Sequence, residues 1–345
     1  MLLNYMNILI IGYGTAGKFY MSLLQRISYV KNIYVFDPAK KMINDKKFFS
    51  KFDLNKIKKL KISHAIIATP SNLHYKYSKI LLKNSINLLI EKPFVLKISD
   101  AKDLIKINKL KKVKCWVTFQ NRFNLAIQRL RKYIDARKLG SIFLTDCNLI
   151  WSRDKKYYKT SWKGKYKSDG GVLANQAIHL LDALIYIFGE VKKFNSILRF
   201  NKKKLQAEDL IVLNFIHKSN LISSFKATTR ADNNYTSGID VIGEKGRALV
   251  NGISLNYFNT FTKGQLKKDK KYSEEFSSGP GAVGAMGNGH LKILDEFLDK
   301  KLKKSSKDLE IVKNLHVLKI IHSVYNFSSQ SIFNFVKDKQ SRLGI

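Results

Sequence analysis

Residues 7–17 read Asn-Ile-Leu-Ile-Ile-Gly-Tyr-Gly-Thr-Ala-Gly, and this stretch decides the fold of the first third of the chain. Its apolar run predicts a buried strand, which leads directly into Gly12, Gly14 and Gly17 with G-x-G-x-x-G spacing. A helical run follows, and a second apolar run ends at Asp37, twenty residues after the last glycine. A strand, a glycine turn, a helix, a strand and an acidic residue in this order predict a dinucleotide-binding fold.

Each residue type of this fingerprint has a physical reason to be there. Gly12 permits a tight turn, Gly14 lets the backbone approach a pyrophosphate, and Gly17 lets the helix lie close to the strand. The free N–H groups at the start of the helix then receive the phosphates. Asp37 can accept hydrogen bonds from the adenosine ribose and repels a 2′-phosphate, so NAD is predicted rather than NADP. A glycine triplet without this context would be compatible with a turn in any α/β protein.

Length, cysteine content and hydropathy narrow the class of protein. A chain of 345 residues exceeds what one core usually serves, so two domains are expected. No apolar run approaches the roughly 20 residues that a membrane helix needs, and the N-terminus lacks the pattern of a signal peptide. Cys115 and Cys147 have no metal-ligand spacing and suit a reducing compartment. We therefore expect a cytoplasmic protein without a metal site.

The formal net charge of +37 raises the question of a nucleic-acid or membrane partner. Only ten of the 63 basic residues are arginine, the residue that specific readers of nucleic acid use most. The lysines fall in short clusters at predicted helix ends and loops instead of along one groove. We therefore predict no specific nucleic-acid partner and no membrane partner, although the field can help to capture an anionic substrate.

The order of predicted elements divides the chain in two. Strands and helices alternate up to about residue 122, which predicts a parallel sheet covered on both faces. Later residues combine predicted helices at 124–136 and 172–188 with alternating strands, a glycine-rich loop at 279–289 and helices to about 337. The predicted fold class is therefore α/β. An N-terminal Rossmann domain is expected over residues 1–122, and an α/β domain with a large, mostly antiparallel open sheet over 123–345; the family resemblance described below implies substrate binding and oligomerisation for the second domain.

The motif Glu91-Lys92-Pro93 follows a predicted strand at its carboxyl end, where open parallel sheets bind their ligands. The ammonium of Lys92 can donate a hydrogen bond to a substrate hydroxyl and stabilise developing alkoxide charge. In a chain so rich in lysine, a surface lysine at a strand end is an equally good interpretation of this motif alone.

A second candidate lies on the helix predicted over residues 172–188, where Asp169 can cap the start. Asn175 and Gln176 precede His179 by four and three residues, and Asp182 follows it by three, which places all four on one side of a helix. A polar stripe on an apolar helix needs partners, and histidine suits proton transfer near neutral pH. A hydrogen-bonded core histidine is the alternative interpretation.

Four motifs occur together in the order and spacing of one family: Gly12-Tyr-Gly-Thr-Ala-Gly17, Ala68-Thr-Pro-Ser-Asn-Leu-His74, Glu91-Lys92-Pro93 and Gly170-Gly171…His179…Asp182. The chain resembles the Gfo/Idh/MocA oxidoreductases along almost its whole length. The resemblance implies hydride transfer between a sugar or cyclitol carbon and the nicotinamide of NAD. Lys92 and His179 would be the catalytic pair, with His179 taking the hydroxyl proton. Many members carry Asp where this chain has Asn175, and asparagine cannot act as a base.

The resemblance also implies which residues hold the ligands. The cofactor NAD is expected at Gly12, Gly14, Thr15, Ala16, Gly17, Asp37, Thr69, Pro70, Asn72, His74, Glu91, Lys92, Gln120 and Asn121. The Asn-Gln-x-x-His form and the stretch from Arg153 to Gly164 are similar to a subgroup that oxidises nucleotide sugars, notably 3-dehydrogenases of UDP-N-acetylglucosaminuronic acid. The substrate is expected at Lys92, Arg122, Arg153, Tyr158, Trp162, Lys163, Asn175, Gln176 and His179, through ring stacking and cation contacts with a carboxylate or diphosphate.

The prediction is therefore an NAD-dependent dehydrogenase of a nucleotide-linked sugar, assembled as a homo-oligomer (a dimer or a tetramer). A free-sugar or myo-inositol dehydrogenase is the alternative within the same class. A non-catalytic NAD-binding sensor or scaffold is the alternative from another class, but such a protein has no need of Lys92 and His179.

Overall fold

The computed structural model describes residues 6–39, 45–160, 162–199, 206–262, 264–273, 289–299 and 304–327. Its strands are β1 (Met6–Ile11), β2 (Val30–Phe36), β3 (Phe48–Phe49), β4 (His64–Ile67), β5 (Asn87–Ile90), β6 (Cys115–Val117), β7 (Ile142–Ile150), β8 (Val191–Arg199), β9 (Leu210–His217), β10 (Ile222–Thr228), β11 (Thr236–Gly243), β12 (Gly246–Asn251), β13 (Tyr257–Thr262) and β14 (Gln265–Lys268). Its helices are α1 (Thr15–Leu24), α2 (Leu54–Lys59), α3 (His74–Lys83), α4 (Ile98–Lys111), α5 (Leu125–Asp135), α6 (Lys155–Tyr158), α7 (Ile178–Phe188), α8 (Gly289–Leu298) and α9 (Ile311–Phe327).

The first sheet has six strands in the order β3-β2-β1-β4-β5-β6, and its pairings are parallel. Residues 8–11 and 65–67 are fully buried because helices cover both faces of a parallel sheet. The register pairs Ile11 with Phe36 and Ile67, and Ile67 with Ile90. The loops after β1, β2, β4, β5 and β6 therefore leave the sheet at one edge, which is the edge where such sheets bind ligands.

The second sheet has eight strands in the order β14-β13-β12-β11-β7-β10-β9-β8. Its pairings are antiparallel except for β7 with β10, which are parallel. Along β9, Ile211, Leu213 and Phe215 point inward and are fully buried, and the intervening residues point outward. Helices α5 and α7 pack against the inner face. The predicted α/β class, a Rossmann sheet joined to a mostly antiparallel open sheet, is confirmed.

The helices near the end of the chain return to the first sheet. Lys114, just before β6, donates hydrogen bonds from Nζ to the carbonyls of Glu296 and Phe297 at the end of α8, at 3.0 and 2.9 Å. Nε2 of His322 on α9 lies 2.9 Å from the carbonyl oxygen of Leu96. The boundary at residue 122 stays a prediction. Residues 279–288 of the glycine-rich loop and the helical stretch predicted beyond 327 lie outside the described residues.

The helix predicted over residues 172–188 begins at Ile178 instead, and this prediction was wrong in its first six residues. The segment before it forms turns, in which the N–H of Ala177 donates to Val172 O, five residues back, instead of four. Main-chain N–H groups of Val172 and Leu173 are held by the carbonyl and the carboxylate of Glu208, at 2.8 and 2.9 Å. Asn175 and Gln176 therefore precede the helix that carries His179.

The alternating strands expected in the later part of the chain include β8, β13 and β14, of which β14 is exposed throughout. Both cysteines are buried free thiols. Within the described ranges, no helix has the length and apolar character required to cross a bilayer.

Candidate active site

The glycine turn after β1 has one open position between two crowded ones. Gly12 has a φ of +96°, and a Cβ there would lie 2.6 Å from the carbonyl oxygen of Ala68. A Cβ on Gly17 would lie 2.0 Å from the carbonyl oxygen of Gly12. A Cβ on Gly14 would have no atom of the described residues other than its chain neighbours within 4 Å, so the space beside Gly14 is open. The turn thus leaves space at the N-terminal end of α1, where Thr15 and Ala16 present N–H groups, and a pyrophosphate fits there.

Asp37 lies directly after β2, beside this turn. Its Oδ2 accepts a hydrogen bond from the N–H of Tyr13 at 2.7 Å, and its Oδ1 accepts one from the N–H of Ala39 at 2.8 Å. Each carboxylate oxygen has a further lone pair. The carboxylate is therefore held in place by the backbone and can still accept from two ribose hydroxyls.

Replacing Asp37 with alanine is expected to weaken NADH binding about tenfold or more, because hydrogen bonds to a charged acceptor are lost. The same change removes the charge that repels a 2′-phosphate, so the ratio of the dissociation constants for NADPH and NADH should decrease. Fluorescence titration with each cofactor measures the two dissociation constants. Asp53→Asn is the matched control, since Asp53 caps α2 on the surface. An unchanged preference would show that Asp37 does not contact the ribose.

Lys92 connects the two halves of the molecule. It follows β5, precedes a cis peptide bond to Pro93, and donates hydrogen bonds from Nζ to the main-chain oxygen of Asn175 at 2.9 Å and to its Oδ1 at 3.2 Å. Burial lowers the pKa of Lys92, while the carboxylates of Glu91 and Asp169 raise it. An ammonium has three donors, and the third has no partner among the described residues. It can therefore meet a ligand oxygen.

Glu91 is held in place beside this lysine. Its Oε1 accepts a hydrogen bond from the hydroxyl of Tyr20 at 2.6 Å, and its Oε2 accepts one from the N–H of Lys92 at 3.2 Å. Burial raises the pKa of Glu91, while the hydroxyl of Tyr20 and the charge of Lys92 lower it. The carboxylate thus orients the backbone that carries Lys92.

His179 lies in the first turn of α7, with its ring edge-to-face against Phe119 at 6.1 Å between centroids. Burial lowers the pKa of His179 well below its usual value, and the charges of Lys92 and His290 lower it further. The imidazole is therefore neutral at pH 7 and can accept a proton. Because the charge of Lys92 acts on His179, the two side chains lie near each other.

Three buried polar atoms near these loops have no hydrogen-bond partner within the described ranges: Oγ1 of Thr69, Oε1 of Gln120 and Nδ1 of His179. Thr69 follows β4, Gln120 follows β6, and both loops leave the first sheet at its ligand-binding edge. Buried polar atoms are rarely left unpaired in folded proteins. Together with the open glycine turn, these atoms fit a nicotinamide dinucleotide that runs along this edge.

The second half of the molecule contributes a hydrogen-bonded cluster. Nδ2 of Asn175 donates to Oδ1 of Asp169 at 2.7 Å and lies 3.3 Å from the hydroxyl of Tyr157. Nε2 of Gln176 donates to the same hydroxyl at 3.1 Å, and Oδ2 of Asp169 accepts from the N–H of Gly164 at 3.0 Å. Tyr157 is therefore at the centre of the cluster. Burial raises its pKa to about 12, so the hydroxyl stays protonated.

The cluster carries more positive than negative charge. Nζ of Lys163 lies 3.6 Å from the ring centroid of Tyr157, and the guanidinium of Arg153 lies 5.4 Å from it. Burial lowers the pKa of Lys163; Asp169 raises it, and Arg153 and Lys92 lower it. Lys92 and Lys163 both interact with Asp169, Lys92 also interacts with Glu91, and burial raises the pKa of both carboxylates. An arrangement with excess positive charge favours an anionic ligand.

Arg122, predicted to bind substrate, is placed elsewhere by the structure. Its Nε donates to Oδ2 of Asp182 at 2.8 Å, a second guanidinium nitrogen pairs with Oδ1, and the side chain is buried. Its other donors reach Asn314 and the carbonyl of Asp308. The Asp182 carboxylate therefore belongs to this buried ion pair and not to the polar stripe with His179. Arg122 thus joins the segment after β6 to α7 and α9, and its predicted contact with substrate is not among these interactions.

Two expected cofactor residues also have other surroundings. Both ring nitrogens of His74 lie 2.9 Å from main-chain carbonyls, those of Pro93 and Thr69, so the ring connects two loops and has no nitrogen free for a ligand. Burial lowers the pKa of His74 to about 4. The side chain of Asn72 is exposed in a short turn before α3. Pro70 is half-buried beside that turn, and Asn121 is buried beside Gln120.

Tyr157 and Tyr158 both lie in the stretch from Arg153 to Gly164, but only Tyr158 is predicted to bind substrate. In the structure, the hydroxyl of Tyr158 lies 3.0 Å from Oγ1 of Thr229, and Tyr157 meets the cations and Asn175. Trp162 is half-buried next to Lys163. The only sequence signal for Tyr157 was its position beside Tyr158, and Asp169 had been interpreted as a helix cap.

The chain is similar to known proteins in sequence and in fold. The model of an oxidoreductase family with an NAD-binding Rossmann fold matches residues 6–119, and the GFO/IDH/MocA C-terminal domain matches residues 127–249. An uncharacterized oxidoreductase of Synechocystis sp., sll0816, is 23% identical over 202 residues, which are 55% of this chain and 54% of that protein. The chain thus matches about half the length of this curated relative.

Two solved structures share the fold. The WlbA dehydrogenase from Bordetella pertussis, in complex with NADH and UDP-GlcNAcA, gives a TM-score of 0.78 at 22% identity, covering 94% of this chain and 95% of that one. The UDP-N-acetylglucosamine 3-dehydrogenase GnnA from Acidithiobacillus ferrooxidans gives 0.74 at 14% identity, covering 94% and 98%. At these identities the likeness establishes a common architecture for the whole described chain.

Proposed function

Since this chain belongs to the GFO/IDH/MocA oxidoreductase family and has its NAD-binding Rossmann domain, we propose that it is an NAD-dependent dehydrogenase of a nucleotide-linked sugar. UDP-N-acetylglucosaminuronate, oxidised at C3, is the substrate we propose first. The observation that carries the proposal is that the imidazole of His179 lies close enough to Lys92 for the charge of the lysine to lower the pKa of His179.

The chemistry assigned to these two groups is complementary. Bound NAD supplies the hydride acceptor. As the C–H bond of the substrate carbon breaks, the neutral ring of His179 takes the proton of the attached hydroxyl. The ammonium of Lys92 donates a hydrogen bond to the same oxygen and stabilises its developing negative charge. Both groups are held by the fold before substrate arrives, which lowers the entropic cost of orientation.

The substrate class is argued from charge. Lys92 and Lys163 interact with each other, with Arg153 and with Asp169, and the ring of Tyr157 lies close to Lys163 and Arg153. A uronate carboxylate and a diphosphate would offset the excess positive charge of this cluster, whereas a neutral hexose or inositol would leave that charge uncompensated. Two proteins of similar fold support a nucleotide-linked sugar as the substrate class. The WlbA structure contains UDP-GlcNAcA, and GnnA is a UDP-N-acetylglucosamine 3-dehydrogenase.

A substrate panel tests the proposal. Purified protein is incubated with NAD and UDP-GlcNAcA, UDP-GlcNAc, glucose or myo-inositol, and the absorbance of reduced nicotinamide is followed. Parallel reactions contain 2-oxoglutarate, because a retained cofactor that is recycled by a second substrate would hide turnover. We expect kcat/KM to be highest for the uronate and to fall with added salt. A preference for glucose or myo-inositol would favour the alternative dehydrogenases, and bound NADH without turnover of any substrate would favour a sensor or scaffold.

We also propose that the outer face of the second sheet joins copies of this chain into a dimer or tetramer. Ile222 of β10 pairs with Leu144 of β7 on one side and with Ile216 of β9 on the other. These three outward side chains are 50%, 37% and 39% exposed. Adjacent exposed apolar side chains are typical of association surfaces. Sedimentation velocity measures the assembly, and a monomer at micromolar concentration would contradict it.

A further inference from the structure

One amide separates the ammonium of Lys92 from a buried carboxylate. Oδ1 of Asn175 accepts from Lys92 at 3.2 Å, and Nδ2 of the same amide donates to Oδ1 of Asp169 at 2.7 Å. Asp169 is 3% exposed, and its other oxygen accepts from the N–H of Gly164. The three side chains form a continuous chain of hydrogen bonds from the second half of the molecule to the first.

The chemistry of the two end groups dictates the orientation of the amide. An ammonium only donates, so it requires the carbonyl oxygen of Asn175, and an ionised carboxylate only accepts, so it requires the NH₂ group. The reversed amide would place donor against donor at Lys92 and acceptor against acceptor at Asp169. Asp169 therefore determines which atom Asn175 presents to Lys92.

We propose that Asp169 is a positioning residue for Lys92, which it orients through Asn175 while supplying the negative charge that an asparagine lacks. The proposal rests on the proposed function, in which Lys92 acts as an ammonium. Asparagine in direct contact with the lysine cannot itself balance a charge. Asp169 places that charge one side chain further away, and leaves the third N–H of Lys92 directed at the substrate.

Other groups also act on Lys92, and the effect of Asp169 has to be separated from theirs. The charged and titratable groups around it are Glu91, Asp169, Arg153, Lys163, His179 and His74. Burial and Arg153 lower the pKa of Lys92, and Glu91 and Asp169 raise it. Loss of the charge of Asp169 should therefore lower the pKa of Lys92 and make its amine more nucleophilic at a given pH.

The experiment uses Asp169→Asn and the exchange variant Asp169→Asn/Asn175→Asp. In the single variant, the new amide at position 169 has one acceptor for two donors, the N–H of Gly164 and the NH₂ of Asn175, so the amide of Asn175 loses its fixed orientation. In the exchange variant, the amide at position 169 can accept from Gly164 and donate to the new carboxylate at position 175, which can in turn accept from Lys92. The charge is restored beside the lysine, and each of these hydrogen bonds has a donor and an acceptor.

The primary readout does not need a substrate. Competitive labelling with a trace of acetic anhydride, resolved by peptide mass spectrometry, reports the reactivity of Lys92 relative to the other lysines between pH 7 and 10. We expect Asp169→Asn to raise the relative labelling of Lys92 several-fold at pH 7.5, and the exchange variant to return it to within about twofold of the parent. Turnover should fall about tenfold in the single variant, and the alkaline limb of its pH–rate profile should move to lower pH. Both should recover in the exchange variant.

Asp154→Asn is the matched control, because Asp154 caps α6 in the same loop through Tyr157 and asparagine caps equally well. It should leave the labelling of Lys92 unchanged. NADH binding shows whether each variant is folded. If Asp169→Asn does not bind NADH, Asn175→Ala takes its place, because it removes the connecting amide. The proposal then requires Asn175→Ala to raise the labelling of Lys92. Unchanged labelling of Lys92 in Asp169→Asn, or no recovery in the exchange variant, would overturn the proposal. Absence of turnover in the parent would contradict only the proposed function.

Discussion

Replacing Lys92 with methionine is expected to lower kcat about a thousandfold, which is the upper end of the effect of removing one preorganised donor to a developing oxyanion. Methionine keeps much of the length and apolar contact of lysine, but it has no proton to donate and no charge. The glycine turn and Asp37 are untouched, so the dissociation constant for NADH should stay within about threefold of the parent value.

Stopped-flow measurement of the first turnover, together with an NADH titration, separates the two effects. Lys97→Met is the control, because Lys97 is exposed at the start of α4 and lies only five residues further along the chain. Turnover of Lys92→Met within a few-fold of the parent would show that the ammonium is not part of the reaction. A large loss of NADH affinity would mean that the substitution had disturbed the cofactor edge instead.

Replacing His179 with asparagine is expected to lower kcat by about two to four orders of magnitude, the range contributed by a positioned general base. The amide can still occupy the space against Phe119, but it cannot take a proton at neutral pH. His322→Gln is the control, since Nε2 of His322 on α9 lies 2.9 Å from the Leu96 carbonyl oxygen and the NH₂ group of glutamine can donate a hydrogen bond there. Activity of His179→Asn close to the parent would assign the proton transfer to another group.

The pH profile gives a second test of His179. Burial lowers its pKa well below 6.5, so the ring stays neutral, and competent as a base, as the pH falls through 6.5. The acid limb of kcat in the parent should therefore lie well below pH 6.5 and be absent in His179→Asn. An acid limb centred near 6.5 would indicate a solvated imidazole and contradict the buried position.

The sequence predicts the part of the site that is built on the Rossmann sheet. The glycine spacing, Asp37 and Lys92 each follow a strand, and the carboxyl ends of neighbouring parallel strands meet at one edge. The apolar runs before Gly12 and before Asp37 form β1 and β2. Nothing local predicted that α7 would begin at Ile178, because the preceding turns are held by Glu208, which lies more than thirty residues away.

The sequence by itself determined the fold class, the dinucleotide edge and the two candidate catalytic groups, because buried strands and close glycine contacts leave a periodic and spaced pattern along the chain. Only the tertiary structure decided that Arg122 pairs with Asp182, that Tyr157 rather than Tyr158 meets the cations, and that Asp169 reaches Lys92 through Asn175. The reason is that a polar side chain finds its partner through space: Lys92 and Asn175 are separated by 83 residues, and no local pattern records which donor meets which acceptor.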